Sequence, residues 1–187
     1  IGMGMTLNRL KKIWDNGEYA LNGWLSINNS FIAEIMSRQN YDTLTIDMQH
    51  GLIDYSDLIG MLQGITGSNV TPIVRVPWLD PGYIMKALDA GAQGIISPMI
   101  NNKQEAEEFV SYMRYPPLGD RSFGPTRQNI VQGSDYYKTA NENVLCIAMI
   151  ETAEAMKNLE EIISTDGLDA VYIGPADLTL GLSLIHI

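Results

Sequence analysis

The stretch of the chain that constrains the fold most strongly runs from Val144 to Leu178. It contains two short apolar runs, Leu145–Ile150 and Ala170–Ile173, and each has the length of a buried strand. Between them, Ala153–Ser164 carries apolar residues at helical spacing. A strand, a helix and a strand in this order predict two parallel strands whose carboxyl ends lie at the same edge of a sheet.

Acidic residues follow both of these strands. Glu151 comes directly after the first strand, and Asp177 follows the second within the segment Gly-Pro-Ala-Asp. Ligands bind at the carboxyl ends of parallel strands, and two converging carboxylates suit a hard cation such as Mg²⁺ or Mn²⁺. The alternative is that each acid simply lies near the amino terminus of a helix, where negative charge is favourable. These two residues leave both interpretations open.

The same alternation of strand and helix extends through the preceding part of the chain. The predicted strands are Leu21–Ile27, Thr43–Met48, Thr71–Val76 and Ala92–Ile100, and the predicted helices are Leu7–Asn16, Ser30–Arg38, Tyr55–Ile65, Pro81 to Gly91, and Asn102 to Arg114. This alternation predicts an α/β fold with a parallel sheet. A TIM (β/α)₈-type barrel has eight such units in about 250 residues, and this sequence contains six. We therefore expect a single domain over residues 1–187. It is either a six-stranded open sheet or a barrel truncated after its sixth strand.

Several local features accompany these elements. Phe31, Ile32 and Ile35 are expected to face the core from the second helix. Ser56 is expected to cap the third helix, Asp80 the fourth, and Asn102 the fifth, where Glu105 completes a capping box. The segment from Tyr115 to Asn143 is the one long region without a helical or strand pattern, and it is interpreted as a functional loop or a partner surface.

Composition excludes several classes of function. The formal net charge is −10, which argues against a nucleic-acid or anionic-membrane partner, because both require a basic face. No apolar run approaches the ~20 residues of a membrane span. The single cysteine, Cys146, lies inside an apolar strand and fits a reducing compartment, so we expect a cytoplasmic protein.

Two further strand ends carry polar residues. Asp47, Gln49 and His50 end the second strand, and Arg75 lies near the end of the third. The Asp47 carboxylate could orient or charge the His50 imidazole, although His50 could equally be a surface histidine in a turn. Arg75 ends an otherwise apolar strand, so its charge needs either a structural acid or a substrate oxyanion.

Other chemistries lack their sequence signals. None of the six lysines falls at a strand's carboxyl end, which argues against covalent imine chemistry. The sequence contains neither a Walker A motif nor a G-x-G-x-x-G motif, and no cysteine–histidine spacing for zinc. Ser97 lacks the G-x-S-x-G context of a nucleophile and is interpreted as a strand-end hydroxyl.

The segments IDMQHG, VRVP, ISPM, YPPLGDRSFGPTR, MIET and GPADL resemble the HpcH/HpaI aldolase family in their order and spacing. The resemblance extends from about Leu7 to Gly181. This family comprises metal-dependent class II pyruvate aldolases, such as 2,4-dihydroxyhept-2-ene-1,7-dioate aldolase. The resemblance implies a TIM barrel and, in its complete form, a homo-oligomer.

Roles for individual residues also follow from this resemblance. The implied roles are Glu151 and Asp177 as ligands of Mg²⁺, Mn²⁺ or Co²⁺, His50 as the base with Asp47 behind it, and Arg75 as a catalytic and substrate-binding residue. Ser97 and Met99 are further candidates for substrate contacts. Met99 and Met149 could line the side of the site near the pyruvate methyl group, or they could belong to the core.

The implied reaction cleaves a 4-hydroxy-2-oxo acid to pyruvate and an aldehyde through a metal-stabilised enolate. The alternatives are a lyase of the citrate-lyase-β/malyl-CoA type, and a non-catalytic barrel fragment that acts only by association. The chain departs from the family at Met149, where a glutamine is frequent. It also departs at its end, LSLIHI, where the family continues with further strands and a helix.

Overall fold

The computed structural model describes residues 8–184, and within them strands and helices alternate as predicted. The strands are β1 (Asn22–Leu25), β2 (Thr43–Asp47), β3 (Thr71–Arg75), β4 (Gly94–Ser97), β5 (Leu145–Ile150) and β6 (Ala170–Ile173). The helices are α1 (Arg9–Asp15), α2 (Ser30–Ser37), α3 (Tyr55–Ile65), α4 (Pro81–Ala90), α5 (Lys103–Met113), α6 (Thr126–Gln132), α7 (Tyr137–Asn143), α8 (Ala153–Lys157), α9 (Leu159–Ile163) and α10 (Pro175–Gly181). Leu7, the first residue of the predicted N-terminal helix, lies outside the described residues.

The six strands form one parallel sheet in the order β1-β2-β3-β4-β5-β6. Consecutive parallel neighbours in chain order are the arrangement of a TIM-type barrel. The sheet is curled, so that its first and last described strands approach each other. The ring centroids of Trp24 on β1 and Tyr172 on β6 lie 5.6 Å apart. The predicted barrel-type α/β fold is therefore confirmed for the six described strands. The alternative of a flat, open six-stranded sheet is wrong, because β1 and β6 approach each other.

Side chains alternate between the two faces of the curled sheet. The helix-facing side carries Leu44, Val74, Ile95 and Cys146, which pack in one core cluster with apolar residues of the surrounding helices. The inner face carries a second, smaller cluster. Its members are Ile73, Ile96, Leu145, Ile147 and Met149, joined by Leu10 from α1. Arg75 and Glu151 lie two residues beyond the inner-facing Ile73 and Met149, so their side chains leave the inner face at the mouth of the barrel.

The predicted inward face of α2 is wrong. Phe31, Ile32 and Ile35 are 66%, 38% and 45% exposed, whereas Ala33 is fully buried. The helix packs so closely on α3 that a side-chain carbon at Gly64 would lie 2.6 Å from the carbonyl oxygen of Ser30. Because close helix contacts require small residues, the larger side chains of α2 lie on the opposite face.

The helix caps agree with the sequence except at two points. Asp80 and Asn102 accept the expected backbone hydrogen bonds. The cap of α3 is Asp54 rather than Ser56. The Glu105 carboxylate accepts a hydrogen bond from the backbone N–H of Asn101, so it does not close a capping box on Asn102. The helix expected over residues 153–164 is divided into α8 and α9, which meet at Asn158.

The long segment from Tyr115 to Asn143 contains the short helices α6 and α7, so the expectation of an irregular loop is wrong for half of it. It joins α5 to the start of β5 and therefore lies at the sheet edge opposite the strands' carboxyl ends. The buried Arg121 orders this segment. Its guanidinium lies 4.3 Å from the Tyr115 ring centroid, and Nη2 donates to Asp89 at 2.8 Å. Within residues 8–184, no helix is long and apolar enough to cross a membrane.

Candidate active site

Asp47 and Arg75 form a two-point ion pair at the mouth of the barrel. They are direct neighbours in the register of β2 and β3. Nε of Arg75 donates to Oδ1 of Asp47 at 2.8 Å, and Nη2 donates to Oδ2 at 2.6 Å. The side chains are only 11% and 3% exposed, so water screens the pair weakly. The structural acid expected as one possible partner of Arg75 is therefore present.

An aromatic platform supports this pair from β1. The guanidinium carbon of Arg75 lies 4.8 Å from the ring centroid of Trp24, within the range of a cation–π contact. The indole Nε1 also donates to Oδ2 of Asp47 at 3.3 Å. The remaining guanidinium nitrogen, Nη1 of Arg75, lies 3.9 Å from the sulfur of Met149. Since sulfur is a weak acceptor, Nη1 keeps its capacity to donate to a ligand.

His50 lies at the rim beside this pair, with its side chain exposed to solvent. Asp47 contacts the backbone of this turn, because Oδ1 accepts from the backbone N–H groups of Gln49 at 3.0 Å and His50 at 3.3 Å. Within the described part of the chain, the His50 imidazole makes no hydrogen bond. Asp47 thus fixes the position of the His50 backbone and leaves both imidazole nitrogens available.

Glu151 is as buried as Asp47 on this rim, with 2% of its surface exposed. Its Oε1 accepts a hydrogen bond of 2.7 Å from the backbone N–H of Met99, which follows β4. Its Oε2 lies against the backbone of Gly174, where a side-chain carbon would come within 2.8 Å. One oxygen of this carboxylate is therefore held by the protein, and the other has no hydrogen-bond partner among residues 8–184.

Asp177 lies in the first turn of α10, three residues after Gly174, and its side chain is exposed. No hydrogen bond or ion pair engages its carboxylate within the described residues. Its negative charge acts on Glu151, as do the charges of Arg75 and His50. These four side chains therefore share one electrostatic environment at the mouth of the barrel, as the strand-end positions predicted.

The pKa values of the two buried acids shift in opposite directions. Burial raises the pKa of Asp47, but the hydrogen bonds and charge of Arg75 and the two backbone N–H groups outweigh it, so the net pKa lies below the ordinary value. The pKa of Glu151 is raised, first by burial and then by the charge of Asp177, although the Met99 N–H lowers it. The charges of Arg75 and His50 also lower the pKa of Glu151, but they do not outweigh its burial.

The two further substrate contacts expected from the sequence differ in their placement. The alternation of side chains along β4 puts Ser97 on the same side as Ile95, facing the helices, and the Ser97 hydroxyl is buried without a hydrogen-bond partner among the described residues. Met99 reaches the site through its backbone N–H. Met149 packs in the inner core cluster, in agreement with the core alternative.

The model of the HpcH/HpaI aldolase/citrate lyase family matches residues 21–185, which is most of the chain. The chain belongs to this family. The hydroxypyruvate/pyruvate aldolase of Rhizorhabdus wittichii is 47% identical over 176 residues, covering 94% of this chain and 70% of that enzyme. The 4-hydroxy-2-oxo-heptane-1,7-dioate aldolase of Escherichia coli is 37% identical over 177 residues, covering 92% of this chain and 67% of that enzyme.

A solved structure supports the same assignment. The crystal structure of an HpcH/HpaI aldolase/citrate lyase family protein from Burkholderia cenocepacia superimposes with a TM-score of 0.86 at 35% identity. The match covers 94% of this chain and 72% of that structure. The relatives are lyases that act on carbon–carbon bonds, and the family comprises class II aldolases, which generally depend on a divalent metal.

The donor atoms of the HpcH/HpaI site fit a hard divalent cation. Within residues 8–184, Oε2 of Glu151 and the carboxylate of Asp177 accept no hydrogen bond, and burial together with the charge of Asp177 raises the pKa of Glu151. No group of three or more histidine, cysteine, aspartate or glutamate side chains converges anywhere in residues 8–184. Mg²⁺ is commonly bound by one or two carboxylates, while water or substrate oxygens fill its other coordination positions.

Three contributors to this site were not expected from the sequence: Trp24, the Met99 N–H and the backbone of Gly174. Trp24 reaches Arg75 across β2, through the registers of β1 with β2 and of β2 with β3, which local patterns do not reveal. A backbone donor such as the Met99 N–H has no sequence signal of its own. The glycine of the GPADL segment was visible, but its closeness to Glu151 depends on the pairing of β5 with β6.

Proposed function

We propose that this chain is a metal-dependent class II aldolase that cleaves a 4-hydroxy-2-oxo acid into pyruvate and an aldehyde. The observation that supports this most directly is the meeting of Glu151 and Asp177, two carboxylates with free oxygens, beside the guanidinium of Arg75. The aldolase relatives support the same reaction class.

Glu151 and Asp177 are proposed to hold the cation. When bound there, a divalent cation supplies Lewis-acid stabilisation of the negative charge that develops on the 2-oxo acid as the carbon–carbon bond breaks. Glu151 contributes Oε2, because Oε1 is held by Met99. Asp177 contributes from the more open side of the site, since its carboxylate is exposed. The cation is Mg²⁺, Mn²⁺ or Co²⁺.

Arg75 is proposed to bind the oxo acid through Nη1. Its other two nitrogens, Nε and Nη2, donate to Asp47, which holds the plane of the guanidinium fixed against Trp24. A donor held in place before the reaction stabilises a developing oxyanion without reorganisation. Arg75 therefore adds a fixed positive charge at the carboxylate or the oxo oxygen of the substrate.

His50 is proposed as the base that accepts the proton of the C4 hydroxyl, directly or through one water molecule. Its imidazole is exposed at the rim, and Asp47 holds the backbone of the turn that carries it. A base needs hydrogen-bond reach to the proton that it removes, and an exposed side chain at the rim can approach a substrate bound on Arg75.

The family resemblance also implies a homo-oligomer, which we keep as part of this proposal. The exposed apolar side chains of α2, Phe31, Ile32 and Ile35, give the chain a surface that burial against another protein would stabilise. Sedimentation velocity on the preparation used for activity measurements tests this point.

The deciding experiment measures pyruvate release from a 4-hydroxy-2-oxo acid after metal removal and after addition of Mn²⁺, Mg²⁺ or Co²⁺. We expect activity only with metal, and we expect Glu151→Gln and Asp177→Asn to abolish it. The matched control is Glu154→Gln, a neighbouring exposed acid on α8 that we expect to retain full activity. Pyruvate release that persists in the chelated protein, or in either site variant, would contradict the proposal.

A further inference from the structure

We propose that Asn101 is a positioning residue that orients the Glu151 carboxylate for cation binding by holding the peptide of Met99. This inference rests on the proposed metal site, and it assigns a role to a residue that contacts Met99 but not the Glu151 carboxylate itself. Four observations carry it: the backbone conformation of Met99, the hydrogen bonds of Asn101, their return to Glu151 through Thr152, and the unequal surroundings of the two Glu151 oxygens.

Met99 has a backbone conformation that its side chain disfavours. Its φ angle is +57°, in the left-handed region that glycine, asparagine and aspartate adopt far more readily than methionine. Met99 follows Pro98 at the end of β4, and in this conformation its N–H points to Oε1 of Glu151 at 2.7 Å. Because such a conformation persists only when its surroundings hold it, other contacts must fix this peptide.

Asn101 supplies those contacts. Its Nδ2 donates to the carbonyl oxygen of Met99 at 2.9 Å. Its backbone N–H donates to Glu105 at 2.6 Å, and its carbonyl oxygen accepts from the side chain of Asn158 at 2.9 Å. The side chain and the backbone of Asn101 are therefore fixed independently, so that the Asn101 amide can act as a rigid support for Met99.

The hydrogen bonds return to Glu151 through its neighbour in sequence. The hydroxyl of Thr152 donates to Oδ1 of Asn101 at 2.5 Å, and Thr152 directly follows Glu151. A closed set of contacts thus runs from the Glu151 carboxylate through Met99, Asn101 and Thr152 back to the Glu151 backbone. The same threonine oxygen caps α8 by accepting from the N–H of Ala155 at 3.0 Å.

The consequence is a carboxylate with one oxygen held and one oxygen free. Oε1 is committed to Met99, and Oε2 faces the backbone of Gly174 without a partner in the described residues. Removal of a group that orients a metal ligand by a hydrogen bond commonly lowers metal affinity by about 10- to 100-fold. If Asn101 is removed, the Met99 peptide can leave the left-handed region, and Glu151 then loses the donor that sets its orientation.

The test measures Mn²⁺ affinity by isothermal titration calorimetry on the full chain. We expect Asn101→Ala to weaken Mn²⁺ binding by about 10- to 100-fold, the usual effect of removing a residue that positions a metal ligand. The matched control is Asn102→Ala. Asn102 is the next residue along the chain. It caps α5 by accepting a hydrogen bond from the N–H of Glu105, and it does not contact Met99 or Thr152. We expect Asn102→Ala to lower thermal stability while it keeps the Mn²⁺ affinity within about twofold of the parent chain, since its contacts lie outside the site.

A second pair of variants keeps the inference testable if Asn101→Ala fails to fold. Thr152→Val removes the hydroxyl that holds Asn101, and Thr152→Ser keeps it. We expect Thr152→Ser to bind Mn²⁺ as the parent chain does and Thr152→Val to bind more weakly. Equal affinities in this pair would overturn the inference, and so would an equal loss in Asn101→Ala and Asn102→Ala.

One further variant separates this inference from the proposed function. If Glu151→Gln loses Mn²⁺ binding while Asn101→Ala retains it, the metal site stands and the role of Asn101 is wrong. If Glu151→Gln binds Mn²⁺ as the parent chain does, the metal site is wrong and the role of Asn101 falls with it.

Discussion

Arg75 and Asp47 face each other across β3 and β2 and share two hydrogen bonds, Nε to Oδ1 at 2.8 Å and Nη2 to Oδ2 at 2.6 Å. This geometry requires a planar guanidinium, because an ammonium group cannot donate two parallel bonds from fixed positions. The pair leaves Nη1 of Arg75 directed towards Met149 and the interior of the site. The carboxylate of Asp47 therefore leaves Nη1 as the guanidinium nitrogen of Arg75 without an oxygen acceptor among the described residues.

We predict that Arg75→Lys lowers kcat by about 10²-fold or more, the effect of losing a fixed oxyanion donor, although the positive charge is kept. The measurement is steady-state pyruvate release at saturating metal. The control is Arg9→Lys. The Arg9 guanidinium also pairs with an aspartate, Asp42, at 2.8 Å, but its side chain is 45% exposed and lies away from the strands' carboxyl ends. Equal activity in Arg75→Lys and Arg9→Lys would contradict a catalytic use of the guanidinium geometry.

Asp47 is also expected to make the fold sensitive to acid. Its pKa is lowered in the folded chain, so the ionised carboxylate stabilises the fold at neutral pH. This stabilisation is fully present above the unfolded pKa of about 3.9 and is lost as the pH falls through the lower folded pKa. We predict that Asp47→Asn is less stable than the parent chain at pH 7 and loses less stability between about pH 5 and pH 2, the range over which such a carboxylate is protonated.

Urea unfolding at a series of pH values measures this difference. Asp166→Asn serves as the control, because Asp166 is exposed and makes no hydrogen bond or ion pair within residues 8–184. We expect this control to follow the pH dependence of the parent chain. A parallel pH dependence in Asp47→Asn and the parent would mean that the Asp47–Arg75 pair contributes nothing to acid sensitivity.

Much of the site could be predicted because it follows from strand position. Asp47, Arg75 and Glu151 lie at or just beyond strand ends, and parallel strands end at one edge of the sheet, so a sequence pattern is sufficient to bring them together. The direction of each side chain needs the register as well. Ser97 lies one residue past an inner-facing position, and a shift of one residue along a strand moves a side chain to the other face.

The orientation of α2 shows a different limit. Its large apolar residues, Phe31, Ile32 and Ile35, have the spacing of a core-facing stripe, yet the fully buried residue of this helix is Ala33. Ser30 and Glu34 are the residues that meet the glycines of α3. The distance between two packed helices depends on the residues of both, and the glycines of α3 permit an approach that only small residues of α2 can fill. The periodicity of one helix cannot reveal this, because the deciding residues belong to another helix.

For His50→Ala, we predict a fall in kcat of about 10²- to 10⁴-fold, the usual contribution of a general base, with unchanged Mn²⁺ affinity. The exposed imidazole makes no hydrogen bond within the described part of the chain, so its removal should leave the fold intact. Steady-state kinetics, calorimetric Mn²⁺ titration and a thermal melt on the same preparation separate these effects. A loss below tenfold would assign the proton transfer to another group, and weakened Mn²⁺ binding would make His50 part of the metal site.

The last prediction concerns the contact between Gly174 and Glu151. A side-chain carbon at Gly174 would lie 2.8 Å from the Cβ and Oε2 atoms of Glu151, and at the same distance from the terminal methyl group of Met149. These distances are too short for atoms that are not bonded, so Gly174→Ala must shift Glu151, Met149 or the backbone at residue 174. Its backbone φ of −96° is open to any residue, which means that the substitution acts through contact and not through backbone strain.

We therefore predict that Gly174→Ala lowers Mn²⁺ affinity and pyruvate release by at least about tenfold, as other displaced metal ligands do. The matched control is Gly181→Ala, at the other end of α10, where an added carbon would lie 3.7 Å from the N atom of Ala153, an ordinary contact. Calorimetric Mn²⁺ titration and far-ultraviolet circular dichroism on both variants compare the site with the fold. If Gly174→Ala folds and binds Mn²⁺ as tightly as Gly181→Ala, the Oε2 atom of Glu151 does not face the cation, and the orientation proposed for this carboxylate is wrong.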